Sequence, residues 1–553
     1  MSELSDFEAL KQSYYQAWFR FHPEAAVDIG IQGYSHLLTP CDDNEIGVLI
    51  TLNEKLLIAL DEISPQQLGS DQQIDYQLMR SAALLELREL IEHDWRYRDP
   101  VRFLPIHALY QLGIRQIDDL ATAYGSRLAA IPGHLRCARS HLAESPELIP
   151  PVWLEMAITE ARQGTVFMRE LQHHPLIIRY KHLDALEAAM HAIDDFVRFM
   201  ERDLLPKVEG DFACGEEIFL MRLQHQHGLG AITVDEIHAL GQRLFNKTLT
   251  ELRQVTKEIQ GDEDFHALTL KIHAEIDSSI NTSNHLLEAY RQGMRQAREF
   301  IVQHDLLSVP QREQLNVIET PVFLRHEIPF AAYVEPAHND EQQQGWYYVT
   351  LPESSEDYGE HNPVSLRQTC VHEAWPGHHL QFVMANLSAT ASSLPRLLNP
   401  SATLYEGWAL YCEQLMQEQG FMDTPESRFI MLKDRLWRAL RIMLDVELHT
   451  RGLSLVMAAD RMEQWLGFSH RQAMADLQWY SRSPTVPMSY ATGWALINAT
   501  RSRLQASEKN FNLKAFHDRL LSMGSIPVAQ VIQHRFGAPL WKSVLKQVLA
   551  PGT

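Results

Sequence analysis

The stretch VHEAWPGHHLQ, residues 371–381, places three histidines and one carboxylate close together, beside a Pro-Gly pair. A second stretch, YEGWALY, residues 405–411, adds another glutamate, Glu406. Zinc in proteins is held by imidazole and carboxylate groups, and a catalytic site uses three such ligands and keeps one position for water. The two stretches together predict one zinc site, which the rest of the chain would hold and cover.

The spacing of the histidines excludes a straight helix as the scaffold for this site. The usual helical motif is HExxH, but Pro376 stands four residues after His372. In a straight helix His378 would lie ~9 Å from His372 along the axis, and His379 ~10.5 Å. Proline removes one helical hydrogen bond and forces a bulge or kink. An expanded turn of two extra residues would bring either His378 or His379 back to His372.

Two glutamates complete the predicted site. Glu406 is the candidate third ligand, and Glu373 is the candidate general base that takes a proton from the attacking water. Manganese, cobalt or iron would fit the same donors, since such sites discriminate weakly between these metals. The alternative is a buried, hydrogen-bonded cluster of histidine and glutamate without a metal. By contrast, His225 and His227 lie in a polar, turn-like segment, and we expect them to be solvated.

Composition limits the partners of the chain. It has 553 residues and a formal net charge of -22, which argues against nucleic acid or an anionic membrane, because both attract basic surfaces. The N-terminus lacks the features of a signal peptide, and no apolar run approaches the ~20 residues of a membrane span. Five cysteines without a CxxC pair indicate reduced thiols. We therefore expect a cytoplasmic protein.

Apolar residues recur at spacings of three and four along most of the chain, which predicts a mostly α-helical protein. Segments rich in β-branched and aromatic residues precede the histidine stretch and predict a small β-sheet. These segments are Thr320–Leu324, Ile328–Val334 and Gly345–Leu351. Within one continuous structural unit we predict a helical region, residues 1–305, that walls a groove, and a catalytic region, residues 306–553, that holds the sheet and both motifs.

The motifs HEAWPGHHLQ, residues 372–381, and EGWALYCE, residues 406–413, resemble those of a large bacterial family known as domain of unknown function 885. The resemblance extends to residues 75–80 and 521–527 and covers most of the chain. That family is distantly similar to helical zinc peptidases such as thimet oligopeptidase and the Taq-type carboxypeptidases. The resemblance implies a mostly α-helical, zincin-like metallopeptidase fold with a small β-sheet next to the active-site helix.

The resemblance also implies roles for individual residues. The sequence Gly-His-x-Leu at 377–380 is similar to the end of the zinc motif in several helical peptidases. This similarity favours His378 as the second histidine ligand and leaves His379 to contact substrate or a neighbouring carboxylate. In such folds a strand beside the site binds extended substrate. Residues 345–351, Tyr348 among them, would be that strand here.

Further polar candidates come from the C-terminal helices. The resemblance puts Tyr490 near the site, where its phenol would donate to an oxyanion; the alternative is a tyrosine packed in the core. Arg441, Asp445 and His449 recur every four residues on a helix predicted for 434–450 and share one face. Arg441 would bind a substrate carboxylate, His449 would stabilise the transition state, and Asp445 would orient one of them. The alternative is a structural polar ladder between helices.

These observations predict a zinc-dependent hydrolase that binds one zinc ion per chain. Its substrate would be a short peptide, cleaved with Glu373 as the general base. Two other functions fit the same residues. The first is a metal-dependent hydrolase of a non-peptide amide or ester, because the motif specifies water activation and not the acyl group. The second is a non-catalytic peptide-binding protein with the same fold.

Overall fold

The computed structural model of the chain describes residues 3–274, 283–325, 328, 330–351 and 361–550. Helices account for 71% of the chain and strands for 3%, which confirms the predicted mostly helical protein with one small sheet. Among these residues no helix is both long enough and apolar enough to span a bilayer.

Contacts divide the chain into two compact units. Unit 1 contains residues 1–212, 321–329 and 337–340, and unit 2 contains residues 213–320, 330–336 and 341–553. The helices of residues 213–305 therefore belong to the same unit as both motifs. The groove predicted for the region 1–305 stays a prediction.

Unit 1 is helical in the part that the structure describes. Its core forms where α6, α7 and α9 meet, because each helix turns an apolar stripe inward. On α6 the fully buried positions Leu128, Ile131 and Leu135 follow the three-and-four spacing that a helix needs. The helices are α1 Glu3–Trp18, α2 Pro23–Asp28, α3 Asp43–Asp61, α4 Ser70–Glu92, α5 Ile106–Ile114, α6 Leu120–Glu144, α7 Pro151–Leu171, α8 Pro175–Arg179 and α9 Leu183–Phe199.

Unit 2 contains the sheet and the remaining described helices. The long helices α11 and α18 pack along each other, and α17 packs along α21. The helices are α10 Gly215–His225, α11 Val234–Gln260, α12 Phe265–Ala274, α13 Ser283–Gln303, α14 Pro363–Glu373, α15 His378–Leu387, α16 Leu394–Leu398, α17 Ala402–Glu418, α18 Pro425–Thr450, α19 Leu455–Leu466, α20 His470–Arg482, α21 Ser489–Ser507, α22 Leu513–Leu521, α23 Val528–Arg535 and α24 Ala538–Leu549.

Glycine allows the second of these helix pairs to approach closely. A Cβ atom on Gly407 of α17 would lie 2.6 Å from the backbone of Gly493 on α21, and a Cβ on Gly493 would lie 2.0 Å from the carbonyl oxygen of Thr403. Gly407, the residue after Glu406, therefore packs against α21.

Among the described residues, three strands form the sheet, in the order β1, β3, β2. They are β1 Gln314–Glu319, β2 Ala331–Val334 and β3 Gln344–Val349. The central strand β3 runs parallel to β1 and antiparallel to β2. The strand predicted for residues 320–324 is wrong: Pro321 has no N–H for a ladder, and Val322–Leu324 is a short 3-10 turn. Of the segment predicted for 328–334, residue 329 lies outside the described residues.

Candidate metal centre

The turn between α14 and α15 is wider than a helical turn. The N–H of Gly377 donates to the carbonyl oxygen of Val371 (3.1 Å), and the N–H of Leu380 donates to that of Ala374 (3.2 Å). Each bond spans six residues instead of the four of an α-helix. The expanded turn of two extra residues that Pro376 predicted is therefore confirmed.

Two contacts fix this turn. A Cβ atom on Gly377 would lie 1.8 Å from the carbonyl oxygen of His372, so a larger residue cannot occupy that position. The peptide bond between Trp375 and Pro376 is cis. The indole N–H of Trp408, on α17, donates to the carbonyl oxygen of Pro376 (2.8 Å). The EGWALY motif therefore holds the turn as well as supplying Glu406.

The expanded turn brings His378 back to His372 and places both beside Glu406. Oε2 of Glu406 lies 3.2 Å from Nε2 of His378 and 3.6 Å from Nε2 of His372. Ligand atoms of the three residues all lie within 4.8 Å of one another. Both histidines are less than a tenth exposed. We call these three residues the donor cluster.

Unsatisfied atoms show whether the donor cluster suits a cation. Nδ1 of His378 is buried and has no hydrogen-bond partner among the residues that the structure describes, and buried Oε2 of Glu406 faces Nε2 of both histidines but accepts no hydrogen bond of good geometry from them. A buried polar atom without a partner is costly. Two imidazoles and a carboxylate are ligands that zinc prefers. The donor set, its burial and the unsatisfied atoms therefore fit a zinc ion.

Electrostatics around the cluster also favour a cation. Burial lowers the pKa of His372, but the carboxylates of Glu406, Glu413 and Glu373 outweigh burial and raise it to about 10. Burial raises the pKa of Glu406, but His378 and His372 outweigh it and hold that pKa well below its usual range. The negative charge of the surrounding carboxylates thus stabilises a positive charge at this point.

Glu413 is a site residue that the sequence analysis missed. Its Oε1 accepts from Nδ1 of His372 (2.7 Å), and its Oε2 accepts from the side-chain amide of Gln368 (3.1 Å). A carboxylate on the second nitrogen fixes the ring orientation of a metal-binding histidine. The signal was available, because Glu413 follows Glu406 by two helical turns and so lies on the same face of α17.

The predicted base, Glu373, is the last residue of α14 and is half-buried. No hydrogen bond or ion pair engages its carboxylate within the described ranges. Its charge acts on three neighbours: it raises the pKa of His372, and it adds to the burial that raises the pKa values of Tyr347 and Cys370. A carboxylate close to the donor cluster and free of bonds is available to accept a proton.

His379 lies outside the donor cluster, in a network of its own. Its Nε2 lies 3.0 Å from Oε2 of Glu313, and its Nδ1 lies 3.1 Å from the hydroxyl of Tyr333 on β2. Nε of Arg298 donates to the other oxygen of Glu313 (2.6 Å). A Cβ on Gly345 of β3 would come within 2.9 Å of Nδ1 of His379. We call Arg298, Glu313, His379 and Tyr333 the His379 network; it anchors α15 to the sheet.

Strand β3 does not have the predicted role of binding substrate. Hydrogen bonds to β1 and β2 occupy both edges of β3, so the prediction that its backbone binds an extended substrate is wrong. Tyr348 also faces away from the motif, because side chains alternate along a strand and Gly345 and Tyr347 share the face toward His379. The strands at the two edges of the sheet are β1 and β2.

Tyr490 lies next to the donor cluster. Burial raises the pKa of its phenol well above the usual value, and the charge of Glu406 and a hydrogen bond to it raise that pKa further. The phenol is therefore protonated at neutral pH and can donate.

The guanidinium of Arg441 lies 4.7 Å from the centre of the Tyr490 ring. Nε of Arg441 donates to the hydroxyl of Tyr480 (2.6 Å), and Nη2 of Arg441 lies 3.5 Å from Oδ2 of Asp476. These contacts hold Arg441 against Tyr490 and balance its charge.

Asp445 and His449 have partners in the helical core. Oδ1 and Oδ2 of Asp445 accept from the backbone N–H groups of Thr485 (3.2 Å) and Met488 (3.0 Å). Burial raises the pKa of Asp445 to about 8, against the effect of these two bonds. Nε2 of His449 lies 3.0 Å from the carbonyl oxygen of Tyr480. None of these contacts is with the donor cluster, so they favour a structural ladder that fixes the loop before α21.

The expectation that His227 is solvated is wrong. Its side chain is fully buried. Its Nδ1 lies 2.9 Å from the hydroxyl of Ser401, and its Nε2 lies 2.9 Å from the hydroxyl of Thr485. Burial lowers its pKa to about 3, so the ring is neutral. Both hydroxyls come from distant parts of the chain, and local sequence could not identify them.

Comparison with known proteins now places the chain in a family. The profile of the family described as "Bacterial protein of unknown function (DUF885)" matches residues 23–534, and the chain belongs to this family. The family that the two motifs predicted is thereby confirmed. No curated protein matches the sequence.

Two solved structures are similar in fold. One is a "putative lipoprotein of unknown function" from Shewanella oneidensis, 21% identical, with a TM-score of 0.78 over 95% of this chain and 99% of that one. The other is a "putative lipoprotein" from Colwellia psychrerythraea, 19% identical, with a TM-score of 0.81 over 97% of this chain and 99% of that one. At these identities the likeness shows a shared fold and no function.

Proposed function

We propose that the protein is a zincin-like, zinc-dependent hydrolase that cleaves short peptides. The observation that supports this most directly is the convergence of His372, His378 and Glu406, whose ligand atoms all lie within 4.8 Å of one another. The alternative is a histidine–glutamate cluster without a metal, in which Nε2 of His378, 3.2 Å from Oε2 of Glu406, would donate to that oxygen.

In this proposal the three residues of the donor cluster hold one zinc ion, and Glu413 orients His372. Zinc bound in such a site supplies Lewis-acid activation of water for attack on a carbonyl group. Glu373 accepts the proton from the attacking water and passes it to the leaving nitrogen. Tyr490, protonated at neutral pH, donates to the oxygen on which negative charge develops.

The edge strand β2 favours a peptide over a small amide or ester as the substrate. Tyr333, on β2, lies with its ring parallel to that of His378 at 6.3 Å, so this strand runs beside the donor cluster. Extended peptides bind by adding a strand to a sheet edge, where main-chain hydrogen bonds give affinity. In the described residues β2 is paired only with β3. The predicted cytoplasmic location stays a prediction.

Zinc content and peptide turnover test the proposal together. We expect about one zinc per chain in gently purified protein, and hydrolysis of peptides in a mixture of short sequences. A Glu373→Gln variant should keep its zinc and lose activity by about 10²-fold or more, because it lacks the base. The matched control is Glu508→Gln, which changes an exposed glutamate. Protein that takes up no zinc on incubation, or a Glu373→Gln variant with full activity, would refute the proposal.

A further inference from the structure

Three aromatic rings from three different elements surround His378. The ring centres of Tyr333 on β2, Phe382 on α15 and Tyr405 on α17 lie 6.3, 6.3 and 6.2 Å from that of His378. The ring of Phe382 also lies 6.2 Å from Tyr333 and 5.7 Å from Tyr405. The rings therefore form one continuous surface beside the donor cluster.

The three rings of this surface are partly exposed to solvent, whereas residues close to them in sequence are buried. Tyr333, Phe382 and Tyr405 are all partly exposed, whereas Leu380 and Leu404, their neighbours in sequence, are fully buried. Phe382 follows His378 by four residues, so both project from the same face of α15. A large apolar ring kept accessible at this point can lose more water-exposed surface when a ligand binds.

The surface is also held in a fixed position before any ligand binds. The hydroxyl of Tyr333 is bonded to His379, which is buried and paired with Glu313. Tyr405 immediately precedes Glu406 on α17, so the backbone that positions a residue of the donor cluster also positions this ring. Preorganised groups bind without the cost of ordering them first.

We propose that Tyr333, Phe382 and Tyr405 form an aromatic subsite that accepts an apolar, preferentially aromatic, side chain of the substrate next to the bond that is cleaved. The assignment of the occupant as a peptide rests on the proposed function. Offset and edge-to-face contacts with aromatic rings favour an aromatic side chain over an aliphatic one of equal area. Tyr333 comes from β2, the edge strand that an extended peptide would join. This strand would therefore contribute both main-chain hydrogen bonds to the peptide and one ring of the subsite.

Equilibrium binding tests the subsite without turnover. Zinc-incubated protein with the Glu373→Gln change is titrated by calorimetry with the tripeptides Ala-Phe-Ala and Ala-Ala-Ala. We expect Ala-Phe-Ala to bind about 10-fold or more tightly than Ala-Ala-Ala, because it buries a ring. Adding Phe382→Ala should reduce that ratio by about 3-fold or more. Phe382→Leu serves if the alanine variant does not fold. Phe511→Ala, a partly exposed phenylalanine packed on Phe516, is the control and should leave the ratio unchanged.

Each outcome separates the subsite from the hydrolase. Equal affinity for the two tripeptides, no binding of either, or a ratio that Phe382→Ala leaves unchanged overturns the aromatic subsite, even if the wild-type protein hydrolyses peptides. A preference for Ala-Phe-Ala that depends on Phe382 supports the subsite. If that preference occurs in protein that takes up no zinc, the subsite stands and the proposed zinc hydrolase fails.

Discussion

The donor cluster and the His379 network contain the same kinds of side chain, and His378 and His379 are adjacent in sequence. In the network, both ring nitrogens of His379 have partners, and both oxygens of Glu313 are engaged. In the donor cluster, the ligand atoms of three residues converge within 4.8 Å of one another, and Nδ1 of His378 has no hydrogen bond in the described part of the chain. The atoms of the network pair with one another, whereas the ligand atoms of the donor cluster face one common point.

This difference teaches how to separate a metal site from a structural network. Residue types do not separate them, because both groups combine histidine with glutamate. The arrangement of the ligand atoms does, because a metal ion needs several donor atoms that converge on one point, whereas a structural network pairs each atom with a partner.

The largest expected effect is on zinc affinity. His378→Ala should weaken zinc binding by roughly 10²- to 10³-fold, because structural zinc sites share ~10–16 kcal/mol among about four ligands. His379→Ala should still bind about one zinc per chain. Zinc content after dialysis against a weak chelator measures both. The opposite pattern, with zinc lost in His379→Ala and kept in His378→Ala, would reverse the assignment of the two residues.

The His379 network should contribute to stability instead. Glu313→Ala leaves His379 and Arg298 without their buried carboxylate, which should cost about 3 kcal/mol of unfolding free energy. Denaturant unfolding monitored by circular dichroism measures this loss. Glu288→Ala removes a carboxylate that is paired with Arg295 but half exposed, and should cost much less stability, because solvent screens the pair. Similar losses of unfolding free energy in the two variants would mean that burial of the network adds little to stability.

A smaller effect should come from the residue that links the donor cluster to the core. Glu413→Gln keeps the size of the side chain but removes the charge that faces Nδ1 of His372. We expect zinc affinity to fall by about 10-fold or more, within the range known for partners of metal-binding histidines. Competition with a zinc-sensitive dye measures the change. An unchanged affinity would show that the carboxylate has a structural role only.

The last effect depends on pH and concerns His227, another histidine with both nitrogens paired. Its folded pKa is about 3, below the ordinary value of 6.5. Between these values the unfolded chain binds a proton that the folded chain does not, so stability falls as the pH falls. The loss should be about 2 kcal/mol at pH 5, at ~1.4 kcal/mol per pH unit.

Unfolding free energies at pH 7 and pH 5 measure this loss. His227→Gln should show a smaller decrease between the two pH values than the wild type, whatever its absolute stability. His470→Gln, which changes an exposed histidine, should decrease as the wild type does. If the His227→Gln and wild-type decreases are equal, proton binding at His227 does not contribute.

The sequence analysis predicted much of the site because its signals are local. Pro376 and Gly377 required a widened turn, and the turn is present. Tyr490 lies beside Glu406, as the resemblance implied. The errors came from contacts between distant segments. The central position of β3 depends on β1, whose polar sequence QLNVIE gave no strand signal, and the burial of His227 depends on hydroxyls far along the chain.

The sequence by itself determined the helical fold class, the family, and the residue types available to bind a metal. It could do so because helical periodicity, a proline in a helix and motif spacing all act over a few residues. Only the tertiary structure decided which of the two adjacent histidines, His378 or His379, joins Glu406. The widened turn places His378 beside Glu406, and Glu313, which approaches from another element, pairs with His379. Folding brings distant partners together, and these partners decide which polar atoms remain unpaired. No local pattern contains that information.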